Sequence, residues 1–197
     1  MTDKNFTSLT FTDSVKEMQR QFGSRASYDK MAAQIGERYL LTEQERAFIQ
    51  YQDGFYLSSA NEYGWPYVQY RGGAKGFLKV INEKTLAYAD FRGNKQYISM
   101  GNLNENKKVM LFLMNYATQR RLKIWGTAEI ISMSQNPEIV QEVIDSDYSA
   151  VVERAVIVHI EAFDWNCPQH ITPRFTIEEF KQLVKQHPDL LEEFNAA

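Results

Sequence analysis

The chain has 197 residues, 44% of them hydrophobic and 24% charged, with a formal net charge of −3. That is ordinary for a globular domain with a substantial core. No apolar run approaches the ~20 residues of a membrane span, and the opening MTDKNFTSLT lacks the apolar core of a signal peptide, so a cytoplasmic protein with no membrane partner is expected. The single cysteine, Cys167, excludes an intrachain disulfide and a cysteine-rich zinc site, and three separated histidines without HxH or HExxH spacing argue against a metal centre.

The N-terminal third predicts helices. Ser14 and Glu17 have capping-box spacing, and Phe22-Gly23-Ser24 ends that segment. Thr42 and Glu45 repeat the spacing ahead of Ala47, Phe48 and Ile49, so a second helix should run to about Gln52, where Asp53-Gly54 breaks the pattern.

From Phe55 onward the signals are those of strands. Phe55–Ala60 and Trp65–Tyr70 predict a hairpin around Asn61-Glu62-Tyr63-Gly64, and Phe77–Ile81 and Thr85–Ala89 another around Asn82-Glu83-Lys84. A short helix after Gln96 and a Gly101–Asn106 loop precede a third hairpin, Lys108–Asn115 with Arg121–Ile131. Asn136-Pro137 begins a helix with proline in its first turn, Ala155–Phe163 (AVIVHIEAF) is a strongly apolar strand, and Thr176 with Glu179 caps a final helix. No repeat or linker interrupts the chain. Six or so hairpin-joined strands with flanking helices predict an α+β, mainly β domain built as an antiparallel barrel or sandwich.

Charge is unevenly spread. Pro66 to Trp125 holds 11 Lys/Arg against 3 Asp/Glu, leaving 11 and 22 for the remaining residues. One segment is therefore set to face anions. Most of its lysines read as solvated strand surface, but YADFRGNKQYISMGNL (88–103) crowds Arg92, Gly93, Asn94, Lys95 and Gln96 between a strand and a helix start. Backbone N–H groups at a helix N-terminus point at an anion, glycine allows close approach, and Arg92 and Lys95 supply charge. No GxxxxGK[ST] or GxGxxG pattern is present, so neither a nucleoside triphosphate nor a Rossmann cofactor is supported.

Two further stretches add to this turn. VQYRGGAKGFLK (68–79) places Gln69 and Arg71 on one strand face and then relaxes into glycines, as where a flat group packs on backbone. RRLKIWG (120–126) alternates Arg121 with Lys123. Tyr67, Tyr70, Phe77 and Tyr97 among these cations would also suit single-stranded nucleic acid, but the acidic whole chain argues against that partner.

Gly64-Trp65-Pro66, Arg71-Gly72-Gly73, Gly76-Phe77-Leu78, Thr85-Leu86, the basic turn, Arg120-Arg121-Leu122 and the terminal DWNCPQHITPRF (164–175) together resemble the pyridoxamine 5′-phosphate oxidase-related family of FMN-binding split β-barrels. The resemblance implies a six-stranded antiparallel split β-barrel with flanking helices. One FMN-binding domain would span 1–197, with a helical segment 1–53, a barrel 54–163 and a C-terminal loop and helix 164–197. It also implies a homodimer with FMN at each subunit interface.

On this resemblance the flavin is supported by Gln69, Tyr70, Arg71, Gly72 and Lys75, with Gln69 standing where the oxidase proper has arginine and Arg71 the candidate replacement. Tyr88 and Ala89 would line the ribityl chain beside Asp90. Arg92, Gly93, Asn94, Lys95 and Gln96 would take the phosphate. Lys95 matches the oxidase pattern, Asn94 replaces its arginine, and Arg92 is the candidate substitute. Arg121 falls where the oxidase has a flavin-side glutamine, and Trp165, Gln169 and His170 would come from the second subunit. The oxidase holds its substrate's phosphate with an Arg-x-His near the C-terminus, and Cys-Pro-Gln169-His170 departs from it. The expected activity is FMN-dependent oxidation or reduction of a different substrate, with no catalytic side chain assignable. A flavin carrier without turnover and a deazaflavin-dependent reductase stay open beside it.

Overall fold

The structure, a computed structural model, describes residues 4–188. Seven strands form one antiparallel sheet in the order β2-β1-β5-β6-β7-β4-β3. They are β1 (Gly54–Ala60), β2 (Pro66–Gly72), β3 (Lys79–Asn82), β4 (Thr85–Phe91), β5 (Lys108–Asn115), β6 (Arg120–Ser132) and β7 (Val152–Trp165). The sheet curls on itself, so that Phe55 of β1 packs against both Phe77 and Tyr88 of β4, with ring centres 5.6 and 5.2 Å apart. Its edges β2 and β3 do not pair with each other, which leaves the barrel split rather than closed.

The sheet has one strand more than the six of the expected barrel; all seven correspond to stretches read as strands from the sequence, and the short arm β3 pairs with β4 and forms an edge. β3 begins at Lys79, later than the predicted Phe77. After Gly76 turns the chain at φ +76°, Phe77 and Leu78 plunge into the core instead of joining the ladder. At Gly126 the β6–β7 register shifts; a Cβ there would collide with the His159 carbonyl oxygen, so only glycine lets the strands approach.

Helices α1 (Phe6–Thr10), α2 (Asp13–Gln21), α3 (Arg25–Ile35) and α4 (Glu43–Tyr51) precede the sheet. Thr42 and Glu45 form the predicted capping box of α4, whereas α2 is capped by Thr12 instead of Ser14, its side chain accepting from Val15 N at 3.3 Å. Helix α5 (Ile98–Glu105) extends through the predicted Gly101–Asn106 loop. Met100 and Leu103 bury one face, and the ladder runs on to Asn106 N, which donates to Asn102 O at 2.7 Å. Helices α6 (Pro137–Glu142) and α7 (Ile177–Gln186) start at the predicted proline and Thr176 box.

The main core fills the curled sheet with Leu57, Leu86, Tyr88, Leu111, Leu113, Leu122, Ile124 and Val158. A smaller cluster of Ala87, Ala89, Ala155 and Ile157 lies on the opposite face under Val140 and Val143. β4 and β7 are thus covered on both faces, which explains their unbroken apolar sequences. Among the described residues no helix is long and apolar enough to cross a membrane.

Candidate functional site

The basic turn and β2 meet in one cleft. It holds about 410 Å³ of empty space and is lined from β2 by Tyr67, Gln69 and Arg71, from the end of β4 by Asp90, from the turn by Gly93–Tyr97, from α5 by Ile98–Met100, and from β7 by Glu153. The period of two along β2 aims Gln69 and Arg71 into the cleft. Tyr70 points the other way and packs on Tyr56, 5.4 Å between ring centres.

The turn is shaped for an acceptor-rich ligand. Asn94 Oδ1 accepts from Gln96 N at 3.1 Å, and Lys95 and Tyr97 take the left-handed region at φ 61° and 54°. Tyr97 is the N-cap of α5 and gives it no side-chain cap, so the first-turn amides at the cleft wall keep their donor capacity and the positive end of the helix dipole. Ser99 Oγ donates to Gln69 Oε1 at 2.9 Å, tying α5 to the edge strand.

A chain of alternating charges underlies the cleft. Arg71 Nη1 donates to Asp90 Oδ1 at 2.7 Å, and Arg154 Nε lies 3.0 Å from Asp90 Oδ2. Arg154 also pairs with Glu153, which accepts from Arg92 Nε at 3.1 Å, and the Arg154 guanidinium sits 5.1 Å from the Tyr97 ring centre. Burial outweighs both arginines and pushes the Asp90 carboxyl above its ordinary range. Arg92 holds that of Glu153 below it. Arg71 Nε beside the cleft and Tyr88 Oη in the core beneath are buried without a hydrogen-bond partner among the described residues, and burial pushes the Tyr88 phenol up. An unsatisfied buried donor of this kind calls for an acceptor.

The structure brings Gln69, Arg71, Asp90, Gly93, Asn94, Lys95 and Gln96 together as predicted, and moves the other residues elsewhere. Arg92 does not line the cleft, because its guanidinium is engaged by Glu153. Tyr88 and Ala89 point to opposite faces of β4, one into the main core and one under α6, so neither side chain borders the cleft. Gly72 ends β2 beside the Tyr70 ring, where a Cβ would come within 2.8 Å. Lys75 stands over the Tyr51 ring, 4.3 Å from its centre, in a different cavity. Arg121 Nη2 donates to the Cys167 carbonyl at 2.8 Å and anchors the C-terminal loop. Trp165 Nε1 donates to Glu45 Oε1 at 2.7 Å in its own chain, with Phe48 and Arg120 against the indole. Gln169 and His170 are exposed, the latter at φ 62°.

Ser99 and Glu153 were not singled out from sequence, and Tyr67 only as an aromatic that could stack on a nucleic-acid base. Ser99 lies in the first turn of α5 and Tyr67 on the Gln69 face of β2, so both were within reach of periodicity. Glu153 comes from a strand about sixty residues away, and no local pattern announces it.

A family model described as pyridoxamine 5′-phosphate oxidase matches residues 41–180. A search of curated proteins gives no significant match. Among solved structures, HupZ of Group A Streptococcus is 17% identical over 69% of this chain and 100% of its own, with a TM-score of 0.53. A putative pyridoxamine 5′-phosphate oxidase from Lactobacillus delbrueckii is 19% identical over 64% of this chain and 94% of its own, with a TM-score of 0.49. The likeness to HupZ speaks to the fold alone. The matched span runs from two residues before α4 through the whole sheet and into α7, and on it the chain belongs to the pyridoxamine 5′-phosphate oxidase family.

Proposed function

We propose that the protein is a homodimeric FMN-binding oxidoreductase whose substrate is not pyridoxamine 5′-phosphate. The observation that carries the flavin is the cleft itself. It combines an uncapped α5 N-terminus, the Lys95 ammonium, the Asn94 amide and the Arg71 guanidinium in one open space. These donors fit a phosphate at the turn and an acceptor-bearing ring along β2. Bound FMN would supply electron or hydride transfer at its ring. Lys95 and the α5 amides would hold the phosphate, Arg71 would be kept in place by Asp90, and Gln69 by Ser99.

Support for the dimer comes from the exposed apolar side chains on and beside the edge strand. Trp65, Val68 and Tyr70 are 74%, 59% and 56% exposed, and Tyr56 flanks them on β1. A second copy on this face would cover the open side of the sheet. Gln169 and His170 have no hydrogen-bond or ionic partner among the described residues and stay available to that copy, while Trp165 is tied down by Glu45.

The test is an absorption spectrum of the purified protein with the released cofactor identified by mass, followed by anaerobic reduction with NADH or NADPH. A flavin spectrum with FMN released on denaturation is expected. A colourless protein that also fails to take up added FMN overturns the reading, and bound FMN that neither nucleotide reduces favours a carrier.

A further inference from the structure

The DWNCPQHITPRF element lines no part of the flavin cleft in its own chain. It walls a second cavity, about 580 Å³ of empty space between the end of α4, the β5–β6 turn and the entry to α7, which shares no lining residue with the first. The element is held firmly. Asn166 N donates to Arg121 O at 3.1 Å, Arg121 Nη2 to Cys167 O at 2.8 Å, and Gln119 Nε2 to Ile171 O at 2.5 Å, with the Ile171 side chain buried. The result is a fixed position for Arg174, whose guanidinium rests 5.1 Å from the Tyr116 ring centre.

A second cation faces the same space from an equally pinned loop. Gly73 N donates to Asp53 O and Gly76 N to Gln52 O, both at 2.9 Å, and between them Lys75 holds its ammonium over Tyr51. Neither Lys75 nor Arg174 has a carboxylate within 4.0 Å among the described residues. Glu179 lines the cavity too, but its oxygens accept from Thr176 N and Oγ1 and from Tyr51 Oη, all at 2.9 to 3.0 Å. Hydrogen bonds do not remove its charge, which Lys75 itself helps to hold, so with Asp53 the lining sets two carboxylates against the two cations. The balance suits a monoanion better than a phosphate dianion. Phe175, 45% exposed, and Met114 give the cavity flat apolar walls.

We propose that this cavity binds a small aromatic monocarboxylate, with the carboxylate between Lys75 and Arg174 and the ring against Phe175 and Met114. Two cations already spread on tyrosine faces are pre-organised for such an anion, and Arg174 offers a planar fork to both its oxygens. The proposal stands apart from the flavin reading and needs no bound flavin.

It is tested by ¹⁹F NMR of 4-fluorobenzoate with the full-length protein as purified. Saturable line broadening is expected, absent with 4-fluorobenzyl alcohol. Arg174→Ala should weaken binding about tenfold, the scale of one lost charge-assisted contact. Lys75→Ala, on a separate loop, should weaken it as well and serves if the first variant melts early. Lys95→Ala should leave fluorobenzoate binding unchanged. Three results overturn the proposal: no saturable broadening, equal binding of the neutral alcohol, or a loss in Lys95→Ala equal to that in Arg174→Ala, which would place the probe in the flavin cleft.

Discussion

The Arg71 guanidinium and the Asp90 carboxylate meet at 2.7 Å across the split in the sheet, joining edge strand β2 to the end of β4. Both side chains are largely buried, with 14% and 6% of their surface exposed. The pair therefore does two things at once: it ties the two ends of the open sheet together on the cleft side and presents Arg71 to whatever occupies the cleft.

Asp90→Asn separates those two roles. Because asparagine keeps one oxygen acceptor and Arg154 keeps Glu153, while Arg71 is left largely buried without a counter-charge, stability should fall by about 1–3 kcal/mol. FMN affinity should fall about fivefold as Arg71 loses its anchor. Thermal melts beside a flavin fluorescence titration check this, and a large stability loss with intact FMN binding would make Asp90 purely architectural.

Lys95 and Arg92 should behave differently although they flank the same glycine. Lys95→Ala is expected to weaken FMN binding about tenfold. Arg92→Ala is expected to change it by no more than about twofold, because Glu153 engages that guanidinium. Equal losses in a titration would mean that Glu153 surrenders Arg92 to the phosphate.

The contact between Trp165 and Glu45 predicts an acid-sensitive fold. Burial pushes the Glu45 carboxyl up, but hydrogen bonds from Thr42 and Trp165 outweigh it and hold it below 4.5. A carboxyl depressed in the folded state adds stability that is present above 4.5 and is lost as pH falls through the folded value. Trp165→Phe removes the indole donor at a cost of about 1–2 kcal/mol at neutral pH. Melting curves from neutral pH to about 3 should show a shallower acid decline for Glu45→Gln than for the parent.

Val68 and Tyr70, which flank Gln69 on β2 and point away from the cleft, carry the dimer prediction. Replacing both with glutamate places two charges in the proposed interface and should give a monomer by sedimentation. A protein that already sediments as a monomer while holding FMN would refute the shared site.

Much of the fold was legible because its rules are local. Thr42 with Glu45, Asn136 with Pro137, and Thr176 with Glu179 start helices where the sequence says they should, since a cap needs only residues three positions apart. The third hairpin kept its predicted arms to within a residue, and Gln69 with Arg71 fell on one face by period alone. The errors lie where local signals compete with packing. Gly101 marked a loop, yet the burial of Met100 and Leu103 carries α5 through it. Phe77 and Leu78 suggested a strand, yet the core took them.

The sequence by itself determined the strand and helix pattern, the basic turn between β4 and α5, and the family to which the chain belongs. Only the tertiary structure decided which cations are free. Glu153, brought in by β7, removes Arg92 from the cleft; Cys167's carbonyl takes Arg121; the Asp53 and Gln52 carbonyls pin the loop that leaves Lys75 facing a second cavity. A side chain's direction follows from its neighbours in the chain, but its charge partner comes from whichever distant strand packs beside it.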